Sequence, residues 1–390
     1  MFRFVTAGES HGKCLTGVVE GLPSGIDVDP EFVNFELYRR QLGYGRGGRM
    51  QIEKDRIEFV SGVRHGKTIG SPICFTIQNR DWSHWQIPMS AEPVPENSNI
   101  RPLTRPRPGH ADLAGSLKYQ THDARNILER ASARETAARV AVGALCKLFV
   151  RVFEIRIGSH ILAIGGSRVS ANYECLEPNA IFALKPDSAL HCADPDAEQR
   201  MISEIDQARS AGDTLGGILE VVAAPVPPGL GSHTQWDRKL DGQLAQALMS
   251  IPAAKAVEIG TGIRSATSRG SDVQDEIFYD SEKHEFYRKT NRAGGTEGGI
   301  SNGSEIRARV YMKPIPTLRK PLMSADLVTK EPSEAAFERS DTCVVPAAGV
   351  IAESMLAIVL ARNLLDKLGG DSIEETKAGY ANYRRLLADF

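Results

Sequence analysis

The sequence predicts a mixed α and β protein in a single domain, residues 1–390, and three observations predict it. Short runs rich in β-branched and aromatic residues recur at 2–6, 57–62, 73–77, 155–164, 216–223 and 305–312. Two apolar helical patterns stand among them: one behind Ser132, and one that begins near Pro346 and stops at Gly369-Gly370, a C-cap signal. Nothing in the sequence marks a linker between domains.

Taken in order, residues 2–6 form a strand that delivers Gly8-Glu9-Ser10-His11-Gly12. Residues 18–21 read as a second strand, ended by Pro23-Ser24-Gly25. A helix follows from about Pro30, a residue suited to the first helical position, with Phe32, Phe35, Leu37 and Tyr38 as its apolar set. It runs out into residues 39–49, which carry Arg39, Arg40, Arg46 and Arg49. Gly43, Gly45 and Gly48 match G-x-G-x-x-G, but they follow a helix, whereas the dinucleotide fingerprint follows a strand and opens a helix. The arginines read either as a solvated basic loop or as a site for carboxylate or phosphate, and the near-zero net charge favours the site.

Residues 79–108 are Pro-rich and aperiodic, a length that points to a functional loop, with Trp82 and Trp85 read as packing anchors rather than stacking platforms. Ser132 followed by Glu135 makes a capping box, so the central helix should start at Ser132, with Ala137, Val140, Ala141, Ala144, Leu145 and Leu148 on its apolar face. Arg134 then lies in the first turn, where a bound anion would offset its conflict with the helix dipole. The alternative is an ion pair with Glu129 or Glu135. Residues 165–195 carry no pattern that assigns them a role, and 197–211 read as an exposed amphipathic helix. The strand at 216–223, Pro227-Pro228-Gly229 and a helix at 236–250 echo residues 18–42, which hints at an internal duplication. Residues 292–303 are glycine-rich, and a polar last helix is expected over 372–387.

Composition bounds the function. The chain is 41% hydrophobic and 25% charged, with a net charge of −2 that gives no pull toward nucleic acid or an anionic membrane. Six scattered cysteines show no CxxC or zinc spacing and read as reduced thiols, and no apolar run has membrane-spanning length without charges. These features predict a cytoplasmic chain. His11 and His110 in loops that favour anions, and arginines in separate segments, predict an enzyme acting on an anionic, phosphorylated small molecule without a metal.

Several segments resemble the chorismate synthase family. Gly8-Glu9-Ser10-His11-Gly12, the run from Arg130 to Thr136, and Arg339-Ser340-Asp341 through Glu353 look like its three signatures. Arg46-Gly47-Gly48-Arg49, the run from Arg107 to Asp112, Val257-Glu258-Ile259-Gly260 and Lys313-Pro314 extend the match over essentially the whole chain. The resemblance implies an α+β fold, a β-α-β sandwich with antiparallel sheets flanked by helices, assembled as a homotetramer. It implies a trans-1,4 elimination that turns 5-enolpyruvylshikimate 3-phosphate into chorismate and phosphate, with reduced FMN required but no net redox change.

Carried over by motif, the resemblance gives His11 to the reduced flavin near N1 and His110 to the departing phosphate, and gives Asp341 to removal of the C6 proton through flavin N5. Ser10, Arg40, Arg46, Arg49, Arg107 and Arg134 would bind the substrate. The flavin would be held by Arg130, Ala131 and Ser132, by Pro252 and Ala253, by Gly298, by Lys313, Pro314, Ile315, Pro316 and Thr317, and by Arg339. Ala256 stands where the family often has Gly, and Thr296 where an aliphatic is common, and both bear on flavin affinity. The reductant is external or an intrinsic NADPH-dependent activity, for which no extra domain is evident. Two competing readings are an RNA-binding protein using residues 39–49, which should lose affinity steeply with salt, and a nicotinamide oxidoreductase, which needs a strand before Gly43.

Overall fold

A computed structural model of the chain describes residues 1–47, 54–95, 97–98, 100–282, 284–338 and 341–390. Its strands form two larger antiparallel sheets. The first is ordered Arg3–Ala7, Cys14–Glu20, Ile73–Gln78, Ile57–Ser61. The second is ordered Ala254–Ile259, Ile306–Met312, Gly217–Ala224, Arg156–Ile164, with the short Ser167–Arg168 at its edge.

The principal helices lie between the sheets rather than flanking them. Thr136–Arg151 packs on the strands Arg3–Ala7 and Cys14–Glu20 of the first sheet. Val345–Leu368 packs on Arg156–Ile164 and Gly217–Ala224 of the second, and the two helices pack on each other. The reason is in their sequence: from Val345 to Leu364 only Arg362 is exposed, and a helix apolar all round has nowhere to lie but inside. This helix is long and apolar enough to cross a membrane, yet it is packed within the protein. The two helices approach closely at Gly143, where an added Cβ would stand 2.3 Å from Ser354 Cβ.

Both sheets share one connectivity. Leaving aside the edge strand Ser167–Arg168 and counting strands along each half, each sheet is ordered first, second, fourth, third, with a helix after the second strand and a longer helix after the fourth. The helices after the second strands are Pro30–Gln41 and Leu240–Met249. One apolar core runs from Phe2 to Ile373 and draws on both sheets.

Several local expectations change. Helix Pro30–Gln41 buries Val33, Asn34, Glu36, Leu37 and Arg40, while Phe35 and Tyr38 are exposed, so much of its inward face is polar. Those polar groups have partners. Arg39 forks onto Glu353 (2.7 and 2.8 Å), and Lys147 donates to Glu353 (2.6 Å) and Glu36 (2.5 Å). Burial alone would raise the Glu353 carboxyl, but Arg39 and Lys147 prevail and hold it well below the usual range. The capping box at Ser132 does not form: Ser132 Oγ accepts from Arg134 N at the head of a 3₁₀ turn, Ala133–Glu135, and the α-helix starts at Thr136. Ser372 and Glu375 do form one, at the head of helix Ile373–Ala388.

Within residues 165–195, patternless in sequence, the stretch 174–182 covers part of the second sheet on the face that carries Glu220. Glu220 on that face receives Arg307 and Arg309, and those arginines also donate to Leu176 O and Glu174 O (2.7 Å each). Helix Pro178–Phe182 packs beside them on the strand Arg156–Ile164.

Candidate functional site

The strand Arg3–Ala7 ends in the loop that carries Ser10 and His11, and this loop is tied to the helix Arg125–Ala131. Ser10 N donates to Glu129 O (2.9 Å), and Ser10 Oγ lies 3.1 Å from Ser132 Oγ. The Glu129 carboxylate accepts from His11 N (2.8 Å) and contacts His11 Nδ1 (2.9 Å). Trp85 stacks on the His11 ring, with centroids 4.0 Å apart. Arg130 fixes the same loop from behind, donating to Gly8 O, Thr6 O and Thr6 Oγ1.

Asn79, at the end of a first-sheet strand, bridges to the arginines. Its amide donates to Glu9 O and Gly12 O, and its Oδ1 accepts from Arg134 Nε (2.9 Å). Arg134 then donates to both oxygens of Asp55 (2.7 Å each). Arg134 therefore pairs with neither Glu129 nor Glu135; Glu135 is taken by Arg139 (2.9 Å). Arg40 lies beside this pair, its Nη1 3.6 Å from Asp55 and its Nε and Nη2 donating to Thr136 Oγ1 and Ala133 O. Arg40 Nη1 is buried without a hydrogen-bond partner among the described residues. Burial, with the charges of Arg134 and Arg46 nearby, pushes the Arg40 guanidinium down to about 10.

Arg46 pairs with Asp341 (2.9 Å), whose other oxygen accepts from Gly47 N (2.6 Å). Both residues line a cavity of about 50 Å³ together with Gly47, Thr214, Thr317 and Thr342. Thr317 carries the network onward, because its hydroxyl accepts from Arg107 Nη1 (3.0 Å). Arg107 Nε donates to Asp112, and Asp112 also meets His110 Nδ1 (2.5 Å). Burial would raise Asp112, yet hydrogen bonds from His110 and Arg107 hold it far below the usual carboxylate range. Lys313 Nζ donates to Gly109 O (2.5 Å) and Lys313 N to Ala253 O (2.9 Å), which brings Pro252 and Ala253 beside the 313–317 segment.

Contacts thus join Ser10, His11, Arg40, Ser132 and Arg134 in one group, and Arg107, His110, Lys313 and Thr317 in another, while the Arg46–Asp341 pair shares a cavity with Thr317 and acts on Arg40 through its charge. Gly298 is apart: Gly299 meets Lys239 at the start of helix Leu240–Met249, whereas Ala253 lies past that helix's other end. Ten residues of helix separate them by about 15 Å. Arg49 and Arg339 lie outside the described residues, as do Gly48 and Ser340. Arg39 belongs to the core, and Gly43 follows helix Pro30–Gln41, so neither the solvated basic loop nor the dinucleotide fingerprint describes residues 39–47. A larger, open concavity on helix Pro195–Ser210 is lined by no histidine or arginine. Among the described residues no group of three or more His, Cys, Asp or Glu could hold a metal ion.

Sequence reasoning missed Asp55, Asn79, Glu129 and Trp85. Nothing local marks Asp55 between Lys54 and Arg56, and Trp85 looked like a packing residue. Chemically, among the described residues four arginines (Arg40, Arg46, Arg107 and Arg134) face three aspartates (Asp55, Asp112 and Asp341), with His110 on Asp112 and His11 on a carboxylate of its own, Glu129. Such a set takes up anions and can hand a proton to one.

Comparison with known proteins bears on that chemistry. A sequence model of the chorismate synthase family matches residues 2–365. Chorismate synthase of Solibacter usitatus (strain Ellin6076) is 55% identical, with 100% of each chain covered. That of Desulforudis audaxviator (strain MP104C) is 56% identical over 99% of this chain and 97% of the relative. A crystal structure of a chorismate synthase superposes with a TM-score of 0.80 at 45% identity, covering 100% of this chain and 99% of the other.

Proposed function

This chain belongs to the chorismate synthase family, and from that premise we propose how its polar network serves the family's reaction. The enzyme converts 5-enolpyruvylshikimate 3-phosphate to chorismate and phosphate, a step in aromatic amino acid biosynthesis. The substrate carries a phosphate and two carboxylates, and a set of four arginines against three aspartates supplies the charge they lack. Arg40 carries the reading: a buried guanidinium with Nη1 unbonded among the described residues is a donor waiting for an anion. Arg46, Arg107 and Arg134, with Arg49, complete the clamp, and Ser10 adds a hydroxyl.

His110 is the acid for the leaving group. Its Nδ1 is held by Asp112, so the other ring nitrogen is the one that can deliver a proton to a phosphate oxygen as the C–O bond breaks. Asp341, oriented by Arg46 and Gly47 N, is the carboxylate available for the proton lost from C6. One bond to phosphate and one to hydrogen break, a double bond forms, and no electrons are gained or lost overall.

Reduced FMN fits the donor set of this chain. Lys313 offers a cation, Ser132 and Thr317 hydroxyls, and Ala131, Pro252 and Ala253 closely held backbone, a combination suited to a flavin phosphate and ring edge. When bound, reduced flavin supplies transient electron density that eases loss of phosphate. Arg130, Pro314, Ile315, Pro316 and Arg339 belong to the same assignment, and so does Gly298, although it stands apart from Ala253 within the chain. Homotetrameric assembly, a cytoplasmic location, a single domain and reductant from NADPH or an external donor complete the proposal, and the shared connectivity of the two sheets favours an internal duplication.

Anaerobic turnover with chemically reduced FMN, followed by chorismate absorbance, tests it. Arg40→Gln should lower kcat/KM by about 100-fold or more, because it removes a charge-assisted contact to the substrate. A value equal to that of the unaltered enzyme refutes the anion reading.

A further inference from the structure

The contacts around His11 have a chemistry of their own. Glu129 is buried, and the same carboxylate engages His11 at its backbone N–H (2.8 Å) and at ring Nδ1 (2.9 Å). Arg125 adds a bond to that carboxylate (2.9 Å), while its guanidinium lies 4.9 Å from the centre of the Trp85 ring. Trp85 in turn stacks on His11 at an interplanar angle of 23° and donates through Nε1 to Asp81 (3.3 Å). Helix Arg125–Ala131 and the turn Arg80–His84 thus close on one imidazole from two sides.

We propose that Glu129 and Trp85 are positioning residues for His11: the carboxylate fixes the Nδ1–H tautomer, the indole fixes the plane of the ring, and Nε2 becomes the nitrogen offered to bound ligands. An ionised carboxylate can only accept, so a ring nitrogen in contact with it carries the hydrogen. Glu129 stays ionised: burial would raise it, but hydrogen bonds from the His11 ring and backbone, with the charge of Arg125, hold it below the usual carboxylate range. Neutral His11 then presents a lone pair at Nε2, and protonated His11 a proton there, with the negative charge of Glu129 offsetting the imidazolium. Among the described residues the other charged groups near this imidazole and its stacking partner are Asp81 and His84 from the turn and Glu338, which pairs with Arg125 (3.2 Å), while Glu9 in the same loop lies against Gly12. None of these is in hydrogen-bond contact with Nδ1, so the tautomer falls to Glu129.

The inference rests on the role proposed above for His11, and two readouts keep the two apart. In the ligand-free protein with ¹⁵N-labelled histidine, the His11 signal, identified by its loss in His11→Asn, should report the Nδ1–H tautomer when neutral. In Glu129→Gln the amide can donate to Nδ1, and the signal should move to the Nε2–H tautomer. In the anaerobic assay Glu129→Gln should lower kcat by about 100-fold with KM changed less than about threefold, as loss of a group that orients a histidine does. Trp85→Leu keeps the carboxylate and should lower kcat by about tenfold with the tautomer retained. An Nε2–H tautomer in the unaltered protein overturns the proposal, and so does a tautomer unchanged by Glu129→Gln. Should Glu129→Gln fail to fold, the tautomer of the unaltered protein and the turnover of Trp85→Leu decide. Full turnover in His11→Asn refutes the role of His11 in the reaction, while a tautomer switch in Glu129→Gln would still support the clamp.

Discussion

Asp55 offers the sharpest perturbation, because it is the carboxylate between two buried guanidiniums. Both of its oxygens accept from Arg134 at 2.7 Å, Arg40 stands 3.6 Å away, and its side chain is fully buried. Asp55→Asn keeps the shape and removes the charge, leaving Arg134 and Arg40 to repel each other out of water. Removing one member of a buried ion pair costs about 3–5 kcal/mol. For 390 residues the unfolding entropy at the melting point is about 0.8 kcal/mol/K, so the melting temperature should fall by about 4–6 °C. A dianionic or trianionic ligand lodged beside the same arginines would restore the missing charge. The substrate should therefore raise the melting temperature of Asp55→Asn by more than it raises that of the unaltered enzyme. Scanning fluorimetry with and without 5-enolpyruvylshikimate 3-phosphate measures both quantities. A variant that melts within about 1 °C of the parent would refute the electrostatic reasoning, and an equal ligand-induced rise in both proteins would separate the arginines from the substrate.

Three further outcomes are expected. His110→Ala should lower kcat by roughly two to four orders of magnitude with little change in substrate affinity, read by anaerobic turnover and by titration; near-parental kcat removes it as the acid. Burial would raise Glu220, but bonds and charges from His160, Arg307 and Arg309 hold it at about 2 against an ordinary 4.5. A depressed carboxylate contributes stability above 4.5 and loses it as pH falls from 4.5 to about 2, so urea midpoints should drop steeply across that window, and less so in Glu220→Gln. Gly143→Ala places a Cβ 2.3 Å from Ser354 Cβ and should lower the melting temperature by about 1–4 °C through overpacking of the central helix pair; an unchanged value would show that the helices can separate without cost.

The sequence was legible where chemistry is local. The strands at 57–61, 73–78, 156–164 and 306–312, the long apolar helix and its glycine stop fell within a residue or two of expectation, because their signals are periodicity and turn residues. The clustering of Arg40, Arg46, Arg107 and Arg134 was legible, and His110 and Asp112, which pair, lie within three residues of each other. What stayed hidden was pairing across long sequence separations. Arg134 finds Asp55 across 79 residues and Arg39 finds Glu353 across 314, and no local pattern announces such partners. Polar residues facing inward on helix Pro30–Gln41 broke the apolar-face rule for the same reason, since Glu36 and Arg40 are buried, and Arg39 half-buried, by their partners rather than by hydrophobicity. The capping box at Ser132 failed because its hydroxyl serves Arg134 N and faces Ser10 instead. Trp85 read as packing, and it does pack, but against a histidine.

The position of the substrate's anionic groups tests the account most directly. A crystal structure of the enzyme with oxidised FMN and 5-enolpyruvylshikimate 3-phosphate should place a carboxylate or phosphate oxygen about 2.7–3.2 Å from Arg40 Nη1, with the phosphate ester facing His110. Substrate bound with its charges on other residues, and Arg40 Nη1 left without an anion, would contradict it.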